Sequence, residues 1–77
     1  MSQPKKYQPA RDRVARNVKL WREHRGLSQQ ALSKDAGLSR TYLSRLEHGV
    51  ETVSVDNLEK LAMILKVDIV ELLKPES

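Results

Sequence analysis

Between Pro9 and Pro75 the chain contains no proline, and three glycines, Gly26, Gly37 and Gly49, divide that stretch at intervals of 11 and 12 residues. Proline breaks a helix interior by removing an amide donor and clashing with the preceding turn. Its absence leaves the whole middle of the chain open to helix. Each glycine follows a segment whose apolar residues recur at helical spacing. Glycine is favoured just past a helix C-terminus, where the backbone turns to positive φ. The glycines therefore punctuate helices and do not form a phosphate-binding loop.

The apolar periodicity fills in the elements. Val14, Val18 and Trp21 recur at i, i+4 and i+7, one stripe of a first helix from about Ala10 to Arg25. Ser28 is a favourable N-cap for a second helix that carries Leu32 and Ala36 inward and ends before Gly37. Ser39 caps a third, with Leu43 and Leu46 as its core pair, ending before Gly49. Ser54 opens a fourth, whose stripe is Val55, Leu58, Leu61, Ala62 and Leu65. A short fifth helix spans about Asp68 to Leu73, with Asp68 and Glu71 spaced as a capping-box variant. No strand alternation persists. The pattern predicts a compact all-α domain over residues 10–74, preceded by a flexible, basic, polar tail at residues 1–9.

Size and charge narrow the function. A chain of 77 residues buries a modest core and makes one domain. It has no cysteine for a disulfide or a thiolate site, and no apolar run of transmembrane length. The start, MSQPKKYQP, lacks the apolar centre of a signal peptide. A soluble cytoplasmic protein is the expectation. The net charge of +4 is unevenly spread: residues 1–25 hold eight Lys or Arg against two acids, residues 50–77 three against six. A basic end favours a polyanion through counterion release.

The stretch QQALSKDAGLSRTYLSRLEHG, residues 29–49, carries the most specific signal. A helix-turn-helix needs apolar residues inside both helices, a glycine in the turn, and polar residues outside the second helix. Leu32, Ala36, Leu38, Leu43 and Leu46 meet the first need and Gly37 the second. Arg40, Thr41, Ser44 and Arg45 meet the third.

Over about residues 10–74 the sequence resembles the Xre/Cro-type helix-turn-helix proteins, which include phage repressors and restriction–modification controller proteins. WREHRGLSQQALS, AGLSRTYLSRLEHG and VSVDNLEKLAMILKVDIVELL carry the likeness. Trp21 replaces the usual leucine before Arg22, Ser33 stands for a usual alanine, and Val53 for a frequent proline. The resemblance implies a five-helix lambda-repressor-like fold and binding of double-stranded DNA with the third helix in the major groove. It implies phosphate contacts at Gln29 and Ser39, and base contacts at Arg40, Thr41 and Arg45, with Ser44 reaching a base or a phosphate. Tyr42 and His48 read as DNA-backbone contacts or packing. Arg22 and Glu47 match an ion pair between the first and third helices, which makes Arg22 a structural residue.

One such motif reads only a few base pairs, so a homodimer on a pseudo-palindromic operator is expected. Met63 and Ile64 lie off the main stripe of the fourth helix, and Ile69, Val70 and Leu73 add apolar surface on the fifth. Ile64, Ile69, Val70 and Leu73 are the expected dimer interface, and helix one around Leu20 is the fallback. Two other classes of function stand beside this one. Catalysis finds no support: His24 and His48 have no metal-ligand spacing, and the serines sit at caps or outer faces. No cofactor, metal or small-molecule ligand is expected. An antitoxin or adaptor that mainly binds another protein is the alternative, and short length favours a controller or stand-alone regulator.

Overall fold

The computed structural model describes residues 7–76. Among them five α-helices form an all-α domain without strands: α1 Ala10–His24, α2 Gln29–Ala36, α3 Arg40–Glu47, α4 Val55–Leu65 and α5 Ile69–Leu73. Three helices begin in one way. The hydroxyls of Ser28, Ser39 and Ser54 each accept, at 3.0 Å, the amide three residues on. Each such cap contributes about 1 kcal/mol by satisfying an orphan amide of the first turn. At α5, Asp68 Oδ1 accepts from the Val70 amide at 2.9 Å. The reciprocal half of the expected capping box does not form there. The Glu71 carboxylate pairs with Lys74 Nζ at 2.8 Å, which places its charge beyond the helix and not back at the cap.

The core joins all five helices. Val14 and Val18 of α1 meet Leu32 and Ala36 of α2, Leu43 and Leu46 of α3, Leu58, Leu61, Ala62 and Leu65 of α4, and Leu72 of α5. Seven of these side chains are essentially inaccessible, each worth about 1.5–3 kcal/mol of burial. Val55, expected in the α4 stripe, is instead 75% exposed. Side chains tilt toward a helix N-terminus, so Val55, as the first residue of α4, points past the packed turns. Leu72, fully buried, is the true anchor of α5.

The basic residues of α1 and its C-cap Arg25 close the ends of the last two helices. Arg25 donates from Nε to the Leu65 carbonyl at 2.8 Å and from Nη2 to the Lys66 carbonyl at 3.2 Å. Its guanidinium also lies over the Trp21 ring, 5.2 Å from the centroid. At α5, the Lys74 carbonyl accepts from Arg16 Nη2 and from the buried Asn17 Nδ2, both at 2.9 Å. Arg13 Nη1 reaches the Leu73 carbonyl at 3.4 Å. Terminal carbonyls lack partners within their own helix and carry partial negative charge, which cationic donors complement.

The same edge holds the start of the described chain. Arg13 Nε donates to the Gln8 carbonyl at 2.7 Å. The Gln8 amide group pairs with the Glu76 backbone in both directions, Nε2 to the carbonyl at 3.2 Å and Oε1 from the amide at 2.7 Å. Within the tail expected at residues 1–9, Lys5 and Lys6 lie outside the described residues. Tyr7 places its ring 5.7 Å from the Arg13 guanidinium carbon.

Candidate nucleic-acid interface

The turn between α2 and α3 sets the geometry of the candidate surface. Gly37 ends α2 at φ 68, and the Leu38 amide reaches back to the Ser33 carbonyl at 2.8 Å. A side chain at that φ would be strained. Ser33 is buried, and its hydroxyl donates to the Gln30 carbonyl at 3.0 Å, so the small polar residue there is satisfied. Two residues after Gly37, Ser39 caps α3.

With the inner face of α3 fixed by Leu43 and Leu46, the opposite face follows from about 100° of rotation per residue. Arg40, Thr41, Ser44, Arg45 and His48 fall within one arc of about 140°. Arg40, Thr41, Arg45 and His48 are exposed and Ser44 is half-buried. His48 Nδ1 lies 2.7 Å from the Ser44 carbonyl. Tyr42 sits beside this arc. Its ring packs against the core and its hydroxyl donates to the Thr52 carbonyl at 2.8 Å. Arg45 is tethered: Nε donates to Glu51 Oε2 at 3.1 Å and Nη2 to the Val50 carbonyl at 3.4 Å.

Behind the arc lies a buried ion pair. Arg22 Nε donates to Glu47 Oε2 at 2.7 Å and Nη2 to Oε1 at 3.1 Å, while Nη1 donates to the Leu27 carbonyl at 2.8 Å. The two side chains are 12% and 2% exposed. Hydrogen bonding to Glu47 raises Arg22 above the usual arginine range, against the opposing pull of burial. Gln29 joins this group by donating to Glu47 Oε1 at 3.0 Å. Ser39 is exposed at the start of α3, its hydroxyl oxygen taken by the Tyr42 amide.

Sequence reasoning missed two things here. Arg13, Arg16 and Arg25 each bond to backbone carbonyls and Arg22 forms the expected pair with Glu47, so four of the eight Lys and Arg of residues 1–25 are committed within the fold. The exposed cations of the arc, Arg40 and Arg45, come from the nearly neutral middle segment. The Glu51 contact to Arg45 was also missed, although a carboxylate just past a helix-ending glycine was a usable signal.

The residues expected to pair two copies lie away from the arc, on α4 and α5. Val70 and Leu73 are exposed, at 56% and 36%, while Ile64 and Ile69 are half-buried against the core. Met63 and Leu20 are also exposed. Among the described residues no group of three or more His, Cys, Asp or Glu converges on a metal position, and no helix is long and apolar enough to cross a membrane.

This geometry is shared with known proteins. The helix-turn-helix family model (HTH_3) matches residues 18–72, from the middle of α1 through most of α5. A hypothetical transcription factor of Neisseria meningitidis serogroup B is 39% identical over 62 residues, which cover 80% of this chain and 58% of that protein. The chain spans about half the length of the first curated relatives it matches. The restriction–modification controller protein C.AhdI from Aeromonas hydrophila superposes with a TM-score of 0.77 at 34% identity, covering 80% of this chain and 94% of that one. SinR, the master regulator for biofilm formation, solved in complex with DNA, superposes with a TM-score of 0.76 at 31% identity, covering 79% and 98%. With the family match running over most of its length, the chain belongs to the helix-turn-helix (HTH_3) family of DNA-binding transcriptional regulators, which is not a family of enzymes.

Proposed function

We propose that the chain acts in the cytoplasm as a homodimeric transcriptional regulator that reads a pseudo-palindromic operator with α3 in the major groove. The observation that carries this reading is the single polar arc of α3, with Arg40, Thr41, Ser44 and Arg45 facing outward and the core behind them. An arginine on such a face offers paired donors to guanine O6 and N7, and a threonine offers a hydroxyl or a methyl. Gln29 and Ser39, at the starts of α2 and α3, are assigned to phosphates, because free first-turn amides favour anions.

Dimerisation is assigned to α5 and the adjoining part of α4. Ile69, Leu73 and Val70 follow one another around α5 within about 100° of arc, next to the buried Leu72. Ile64 adds to the apolar surface from α4. Footprinting on the chain's own promoter region tests the reading. Two protected half-sites about one helical turn apart are expected. Protection of one isolated half-site, or of none, would overturn it.

A further inference from the structure

We infer that Glu51, just after α3, is a positioning residue that sets base specificity by presenting one edge of the Arg45 guanidinium to the DNA. The inference rests on the proposal that Arg45 reads a base. Its own foundation is the way the chain folds back at Gly49. Gly49 takes φ 74, its amide bonds to the Leu46 carbonyl at 3.0 Å, and the Val50 amide bonds to the Arg45 carbonyl at 3.1 Å. That double closure turns the backbone along the last turn of α3 and brings Val50 and Glu51 beside Arg45.

A guanidinium has two edges able to form paired hydrogen bonds, one made by Nε and Nη2 and one by Nη1 and Nη2. Here the first edge is occupied, by Glu51 Oε2 on Nε and the Val50 carbonyl on Nη2. Among the described residues no protein hydrogen bond reaches Nη1. The second edge is the one left for guanine O6 and N7. Glu51 thereby acts in two ways. It restricts a long, flexible side chain to the conformation that binding requires, which lowers the ordering cost on association. It also penalises the alternatives: if Arg45 swings to a phosphate, the Glu51 carboxylate is left unneutralised beside a polyanion. Repulsion of that kind favours one sequence over the others without a new contact.

The pair is partly solvent-exposed, its side chains 53% and 31% accessible, so it adds little to folding and its variants should remain folded. The test uses the operator selected by the wild-type protein from a random pool, and the same duplex with the contacted G·C pair replaced. Affinities for both are measured for wild type, Glu51→Ala, Glu51→Gln, Arg45→Ala and the double alanine variant, with helicity checked by circular dichroism. Glu51→Ala is expected to reduce the ratio of the two affinities about five- to tenfold, a coupling of the size found between contacting residues. Its affinity for the altered duplex should hold or rise. Glu51→Gln, which retains an accepting oxygen, should recover part of the ratio. In the Arg45→Ala background the effect of Glu51→Ala on the ratio should vanish. An equal rise on both duplexes would make Glu51 only a general repulsive charge and overturn the inference. So would an effect that survives without Arg45. If Arg45→Ala leaves the base preference intact, the base-reading proposal itself fails, and the Glu51 inference with it.

Discussion

The Gln29 amide donates to Glu47 Oε1, the same oxygen that accepts Arg22 Nη2. One buried carboxylate thus ties α1, α2 and α3 together, and the residue assigned to a phosphate is held by the group that neutralises Arg22. The position of α2 relative to α3 depends on this junction as well as on the apolar contacts around it.

Removing one partner of the junction should be costly. Glu47→Ala strands a charged, buried Arg22 and is expected to lower stability by about 3–5 kcal/mol. Replacing both partners, as Arg22→Met with Glu47→Leu, should recover most of that. Urea unfolding followed by circular dichroism measures both. A single variant that costs less than about 1 kcal/mol would show that water reaches the pair freely.

Lys66 offers the opposite change. It ends α4 at φ 60, the one non-glycine residue with positive φ among those described. Lys66→Gly should stabilise the fold by about 0.5–1 kcal/mol by relieving the Cβ clash of the left-handed conformation, net of the entropy that glycine adds to the unfolded chain. The denaturant midpoint should rise with an unchanged slope. A lower midpoint would mean that the lysine stem packs more than it strains.

The arginines should sort into two kinds. Wild-type affinity for the operator should fall by about 10³ or more from low to moderately raised salt, as several phosphates are neutralised. Arg40→Ala should lose about 1–3 kcal/mol on the operator and relax the preference at one base pair. Gln29→Ala should weaken all sequences more evenly. Arg25→Ala, which removes the carbonyl contacts at the end of α4, should cost stability of about 1–2 kcal/mol while leaving the salt slope in place. A reduced salt slope for Arg25→Ala would instead put Arg25 on the DNA.

Val70→Glu addresses the dimer. Val70 is exposed, so the change should leave helicity intact, yield a monomer in sedimentation and weaken operator binding. Ile64→Glu should do the same with some loss of stability, because Ile64 also packs on the core. Two variants that stay dimeric would move the interface to another face, with α1 around the exposed Leu20 the first to test.

What was legible in the sequence was local. The serine caps, the glycine stops and the leucine periods each involve residues within a few positions of one another, and the three caps form with a common distance. What was not legible depends on distant partners. Arg25 and Leu65 are 40 positions apart, and Asn17 and Lys74 are 57 apart, so no spacing rule links them. Counting charge marks residues 1–25 as the basic end, whereas Arg13, Arg16 and Arg25 of that stretch serve as hydrogen-bond donors to the fold's own helix ends. Val55 and Leu72 were misjudged or missed because a short period gives a direction on a helix but not where the neighbouring helices stop covering it. The arc on α3 follows from Leu43 and Leu46 alone and was therefore readable, while the Glu51 tether needs the backbone path through Gly49.

The two-way pairing of Gln8 with the Glu76 backbone makes the domain a nearly closed ring. A linker of about three to five residues would join positions 8 and 76 without strain, given a reach of about 3.3 Å per residue. For the natural chain, the same closure means that positions 8 and 76 lie together at one edge, beside α5.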